Sequence, residues 1–350
     1  MDTTAAGSRV EPAEEERRES ADRAWIWRVA ALVVVFALIA VLRSRQVDVP
    51  FRDPHGKLFR GKLTSTALIL LIFVAVDIAA RWWRSRRDGR SLWDVARTRW
   101  TPYRIGMIAA GLVAYFVVYV CYRNLKSWDV FLTPRDAMLL RWDRWLFLGH
   151  SPAVLLHDLL GRDVAAQVLT ALYESFATIV TLALVAALAF APTVRSSYVF
   201  VVSAMWAWII GVGSYYLIPS LGPFHEAPEE FARLTRTSVQ HTQELYVAQR
   251  AHMLAHPQAG DAFAQISAFA SLHCALTCLI WLMARYYGLR VLSWVAFAFL
   301  CCTLVATVYL GWHFAVDDLA GVAIAWVSVQ LGKLTVLGRR GSTSRGPANP

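Results

Sequence analysis

Charge is what this chain has least of: Asp, Glu, Lys and Arg together make up 17% of its 350 residues, against roughly a quarter in an ordinary soluble domain. Such a shortage excludes a water-exposed globular surface, and a hydrophobic share of 57% points to a chain that lives in a bilayer. A paired Cys-x-x-Cys is also missing. Cys121, Cys274, Cys278, Cys301 and Cys302 all fall in or at the ends of apolar runs and read as buried thiols instead of a zinc ligand set. No secretory leader is expected, because the first apolar stretch starts only near Trp25 and has no small-residue cleavage signal before Arg43. The formal charge of +10 does not imply a nucleic-acid partner, since the Lys and Arg residues lie mainly in short loops between apolar runs.

What is present is a series of apolar segments. A spanning helix needs about 20 mostly apolar residues, and eight stretches qualify: 25–42, 64–80, 104–122, 164–191, 197–218, 263–284, 290–311 and 314–336. The expected fold is all-α, a polytopic membrane helix bundle of about eight transmembrane helices, six of them in a catalytic core. Residues 1–23 read as a disordered tail, 24–103 as two accessory helices, 104–337 as the catalytic membrane domain and 338–350 as a second disordered tail. Segment 123–163 interleaves Trp128, Arg135, Arg141, Trp142, Arg144, Trp145 and Phe147 and reads as a re-entrant or interfacial helix pair. Segment 219–262 reads as a long polar loop.

Basic residues near span ends mark the cytoplasmic side. Arg81, Arg84, Arg86, Arg87 and Arg90 follow the second segment, and Lys333, Arg339 and Arg340 follow the last. With eight spans both groups fall inside, which places both termini in the cytoplasm and the 312–314 turn on the extracytoplasmic face, in what is expected to be the plasma membrane. The loop carrying Arg43, Arg45, Arg52, Lys57, Arg60 and Lys62 runs against this rule.

Ionisable groups are costly in an apolar span, so each invites a functional reading. His313 and Asp317 are four residues apart at the start of the last helix and share a face. The carboxylate then fixes the imidazole tautomer and raises the basicity of the free nitrogen, which suits a nucleophile or base. Ser271-Leu272-His273 lies at a similar depth. A second histidine there suits protonation of a leaving alkoxide, and the Ser271 hydroxyl suits a phosphoryl oxygen. Glu174 and Asp77 read as structural hydrogen-bonding groups, and Asp318, five residues from His313, as a capping or interfacial charge.

At these residues the sequence resembles the type 2 phosphatidic acid phosphatase superfamily, whose later motifs read Ser-Gly-His and Ser-Arg, five residues, His, three residues, Asp. The counterparts are Ser271-Leu272-His273 and the run from Tyr309 through His313 and Asp317 to Gly321. The resemblance covers roughly residues 120–335 and implies a phosphohistidine at His313, Asp317 as its orienting partner, His273 as general acid, and no metal or cofactor. It departs from the family at three points: no Arg-Pro dipeptide occurs, Thr307 stands where an arginine is expected, and Leu272 replaces glycine. These departures, with the Pro219–Pro223 loop, look more like the branch containing inositol phosphorylceramide synthase, which transfers phosphoinositol between lipids. The implied substrate is a lipid or polyprenyl phosphate or phosphodiester. If the usual arginines are gone, other groups must neutralise phosphate, and Arg123, Lys126 and His225 are the candidates. Two other classes stay open: a non-catalytic lipid-phosphate-binding protein, motivated by the missing arginines, and a haem protein using histidines of adjacent spans.

Overall fold

A computed structural model describes residues 23–342. They form helices joined by loops, with no strand among the described residues. Three helices, α1 (Ala24–Val47), α2 (Lys62–Ser85) and α3 (Leu92–Arg99), precede the long α4 (Pro102–Trp128). Two short helices follow, α5 (Asp136–Leu146) and α6 (Pro152–Leu160), then α7 (Val164–Phe190) and α8 (Val194–Leu217). The chain ends in α9 (Ser238–Ala255), α10 (Leu272–Tyr286), α11 (Arg290–Tyr309) and α12 (Ala315–Ser342). Among the described residues seven helices are long and apolar enough to cross a membrane: α1, α2, α4, α7, α8, α11 and α12. The polytopic helical bundle expected from the sequence is therefore what the chain forms.

The starts are written locally. Thr101 accepts from the Arg104 N–H ahead of Pro102, a residue that loses nothing at a first helical position, and Thr193 forms a capping box with Ser196. The centre of the bundle is α8, which packs along α12 and α4. Its small residues, among them Ser197, Ser203, Ala204, Ala207 and Gly211, let neighbouring backbones approach, which is how helices associate where lipid removes the hydrophobic driving force. The two leading helices flank the rest: α1 lies on α4 and α12, and α2 on α7.

At one end of the bundle, buried Asp77 of α2 accepts from Arg81 Nε (2.8 Å), Arg99 Nε (3.4 Å) and Trp100 Nε1 (3.2 Å). Arg99 in turn donates to the carbonyls of Ala191 and Pro192 at the end of α7, and Arg195 donates to Val336 O of α12 (3.1 Å). Asp77 is thus a structural group, as expected. At the other end, Arg52 of the α1–α2 loop donates to Ala262 O (2.5 Å) and Pro257 O (2.7 Å).

Three segments differ from the expectation. The sixth expected span, 263–284, becomes helical only at Leu272, and residues 263–270 take no regular secondary structure. Their apolar side chains are buried, but the backbone amides find non-helical acceptors: Ala264 donates to Ser127 Oγ (3.0 Å), Ala268 to Ser220 O (2.9 Å), Phe269 to Ser220 Oγ (2.8 Å) and Ala270 to Ser214 Oγ (2.9 Å). Buried backbone must be paired, and here loops and hydroxyls do what a helix would have done. The expected interfacial pair at 123–163 starts later, because α4 runs on to Trp128 before α5 and α6 form. Within the expected polar loop 219–262 sits the 18-residue α9, announced by the capping box of Thr237 with Gln240.

Candidate active site

The irregular segment and α10 meet at Ser271. Its hydroxyl caps α10 by accepting from Cys274 N (3.4 Å), and its own N–H donates to Asp317 O (3.0 Å). This docking needs α12 and α10 in backbone contact. Gly321 permits it: a Cβ there would overlap the Ser271 carbonyl oxygen. Leu272, which replaces the family's glycine, is accommodated on the other side, where a Cβ on Gly211 of α8 would lie 2.5 Å from its Cδ2. Leu272 is buried, so Leu272→Gly leaves a cavity against α8. The expected loss is about 2–5 kcal/mol, read as a lower thermal midpoint in nanodiscs.

With those contacts made, the two histidines face each other with ring centroids 5.7 Å apart. His313 Nδ1 lies 3.5 Å from Asp317 Oδ2 without a hydrogen bond between them, and that oxygen accepts from Phe314 N (3.0 Å). Burial pulls the His313 pKa below its ordinary value, to about 4, which favours the neutral ring, and the ring also hydrogen-bonds the backbone of Ala268. His273 stacks on Tyr173 (4.3 Å, 25°) and touches Phe176 (4.2 Å). These rings, with Trp312, Tyr246, Glu174 and Thr242, line a cleft of about 200 Å³.

Lys126 is close enough for its charge to act on both imidazoles, and its ammonium sits 5.3 Å over the Tyr215 ring. Arg123, one turn earlier, donates to Gln265 and, at 3.5 Å, to Tyr119 Oη. Both cations point into the bundle. His225 is exposed on a one-turn helix, Pro223–Glu226, where its ring neighbours Phe224. Glu174 accepts from Ser238 Oγ.

Asp318 overturns its expected role as a capping or interfacial charge. It is buried, 3% exposed, and accepts from Thr307 Oγ1 (2.7 Å), Cys274 Sγ (2.9 Å) and the Ser271 hydroxyl. Five residues from His313 is not a shared face, so spacing pointed it away. The packing of α12 against α10 and the end of α11 buries that other face. Thr307, where the family carries arginine, is the partner that keeps this carboxylate hydrogen-bonded. Asp143 is a second residue that helical spacing did not single out, and its contacts are described below. Among the described residues no group of three or more His, Cys, Asp or Glu side chains is placed to hold a metal ion.

The two histidines and Asp317 thus lie together in a polytopic helical bundle, with Arg123 and Lys126 on the neighbouring α4. A family profile described as the PAP2 superfamily matches residues 137–331, more than half of the chain and nearly all of the stretch that resembles the family. The protein belongs to that superfamily. No curated protein and no solved structure matches the chain.

Proposed function

We propose that the protein transfers a phosphoryl or phospho-headgroup unit from a lipid or polyprenyl substrate through a phosphohistidine on His313. The observation that carries this reading is the pair of imidazoles 5.7 Å apart, one against Asp317 and the other lining a cleft. The His313 lone pair attacks phosphorus while the bond from phosphorus to the alcohol oxygen breaks, and the departing oxygen takes a proton from His273 in its imidazolium form, which an anionic substrate beside the buried ring favours. In the second half-reaction a hydroxyl gives its proton to His273 and attacks phosphorus, and the bond to His313 breaks. Asp317 holds the His313 ring and stabilises the charge it acquires. Lys126, with Arg123 behind it, supplies the positive charge that the absent arginine would have provided. Ser271, already engaged by Cys274 N and Asp318, supports α10 and the Asp318 network instead of holding phosphate.

The cleft is lined by His273 and not by His313, which suits it to the leaving group. Whether water or an alcohol makes the second attack separates a phosphatase from an inositolphosphotransferase-like enzyme. The orientation of the site toward the extracytoplasmic face is part of this proposal. It is supported by the gathering of Arg81, Arg99 and Arg195 at the end of the bundle opposite the histidines.

The deciding experiment presents purified protein in nanodiscs with lipid phosphates and phosphodiester donors, with and without polyol or lipid alcohols. Released phosphate, new lipid and acid-labile, alkali-stable phosphoenzyme are measured together. The expected result is turnover of at least one donor with phosphoenzyme on His313. Tight binding of lipid phosphate without turnover across the panel would instead establish the non-catalytic reading that Thr307 motivates.

A further inference from the structure

The helix that begins just after His313 has no side-chain cap of its own. Phe314 precedes Ala315 and offers no acceptor, so the first amides of α12 need partners from elsewhere. Asp317 reaches back to the Phe314 N–H (3.0 Å). The next two amides are met by Asp143 of α5, whose Oδ2 accepts from Ala315 N (2.8 Å) and Oδ1 from Val316 N (2.9 Å). Asp143 is 172 residues away from Ala315 in sequence and only 2% exposed.

The same helix holds the other side of the His313 turn. Asp136, two turns earlier on the inward face of α5, accepts from Leu221 N and Gly222 N, both at 2.8 Å. The Gly222 loop leads to Phe224, whose N–H donates to Gly311 O (3.0 Å). Gly311, Trp312, His313 and Phe314 are thereby bracketed by two carboxylates of one short helix. The outward face of α5 carries Trp142 and Trp145, which are exposed, so the carboxylates are turned in by the helix's own amphipathic pattern.

We infer that Asp143 is a positioning residue for the reaction: it supplies in trans the helix cap that sets the backbone from which His313 projects. A carboxylate at a helix N-terminus satisfies orphan amides and complements the helix dipole. Here the amides it satisfies are the second and third beyond His313, so their loss lets the first turn of α12 unwind and moves the imidazole. Displacement of about 1 Å is enough to cost on the order of a hundredfold in rate. The inference rests on the reading of His313 as nucleophile.

The test compares wild type, Asp143→Asn, Asp143→Ala and His313→Ala as full chains in nanodiscs, on the best donor from the panel above. Asn keeps the shape and one good acceptor, whereas Ala removes both. The expected result is a graded loss of kcat, about tenfold for Asn and about a hundredfold for Ala, with KM within threefold of wild type. The rate of phosphoenzyme formation falls in parallel. A merely structural role would lower the thermal midpoint or the folded yield and leave kcat per folded molecule unchanged, and that outcome overturns the inference. If Asp143→Ala does not fold, Asp143→Asn decides: kcat within twofold of wild type overturns it. Full turnover in His313→Ala would defeat the nucleophile reading itself, which separates the two failures.

Discussion

Replacing His313 by alanine is expected to lower turnover of any active substrate by at least about a thousandfold and to abolish phosphoenzyme. The size of the effect follows from what remains. The Lys126 charge and the cleft still bind substrate, so KM should change little. The other imidazole of the site, His273, cannot take its place: its ring centroid lies 5.7 Å from that of His313 and it is stacked on Tyr173. Restoring a nucleophile in solution with imidazole is the companion measurement. Recovery of part of the lost rate would show that the rest of the site is intact, and full turnover without any addition would sink the phosphohistidine mechanism.

The second large effect is expected at a residue that touches no substrate. In Gly321→Ala, the new methyl meets the Ser271 carbonyl oxygen, which is backbone and cannot swing aside, with Ala275 N and Cys274 Cβ each at 3.3 Å behind it. Relief requires α12 to slide off α10. That motion breaks the Ser271 N–H bond to Asp317 O and loosens Asp318 from Cys274. Overpacking of this kind costs about 1–3 kcal/mol. Turnover should fall more than stability does, by roughly a hundredfold, because the sliding surface carries both histidines. Measured kcat and thermal midpoint in one set of nanodisc samples check it. A Gly321→Ala enzyme with wild-type kcat would show that the close approach of these helices is not needed for chemistry.

Most of the bundle was legible because hydropathy alone marks a helix that lipid surrounds, and seven of eight expected spans are such helices. The exception is instructive. Residues 263–270 are as apolar as a span, yet Ser127, Ser214 and Ser220, all distant in sequence, accept their amides. Hydropathy cannot see a hydroxyl that arrives from another helix. Within the candidate site, His313 and Asp317 were readable from helical spacing and His273 from its motif. Lys126 and Arg123 were readable as the cations left over at that end. Asp143 and Asp318 were not. The work of Asp143 lies across 172 residues, and Asp318 depends on how α12 packs, which spacing does not encode. Helix α9 was legible in principle from Thr237 and Gln240, but its weak periodicity hid it in a polar stretch.

The shortness of α10 has a consequence for access. Its 15 residues rise about 22 Å, while the hydrocarbon core is about 30 Å thick. With the far end of the helix at one hydrocarbon boundary, His273 lies roughly 8 Å below the opposite one, under the level of ordinary headgroups. On the proposed reaction, the phosphate is drawn down from the surface into a well walled by Tyr173, Trp312 and Tyr246. Water and alcohol then compete for phosphorus as solutes of that well, at concentrations set by its walls and not by the bulk solution.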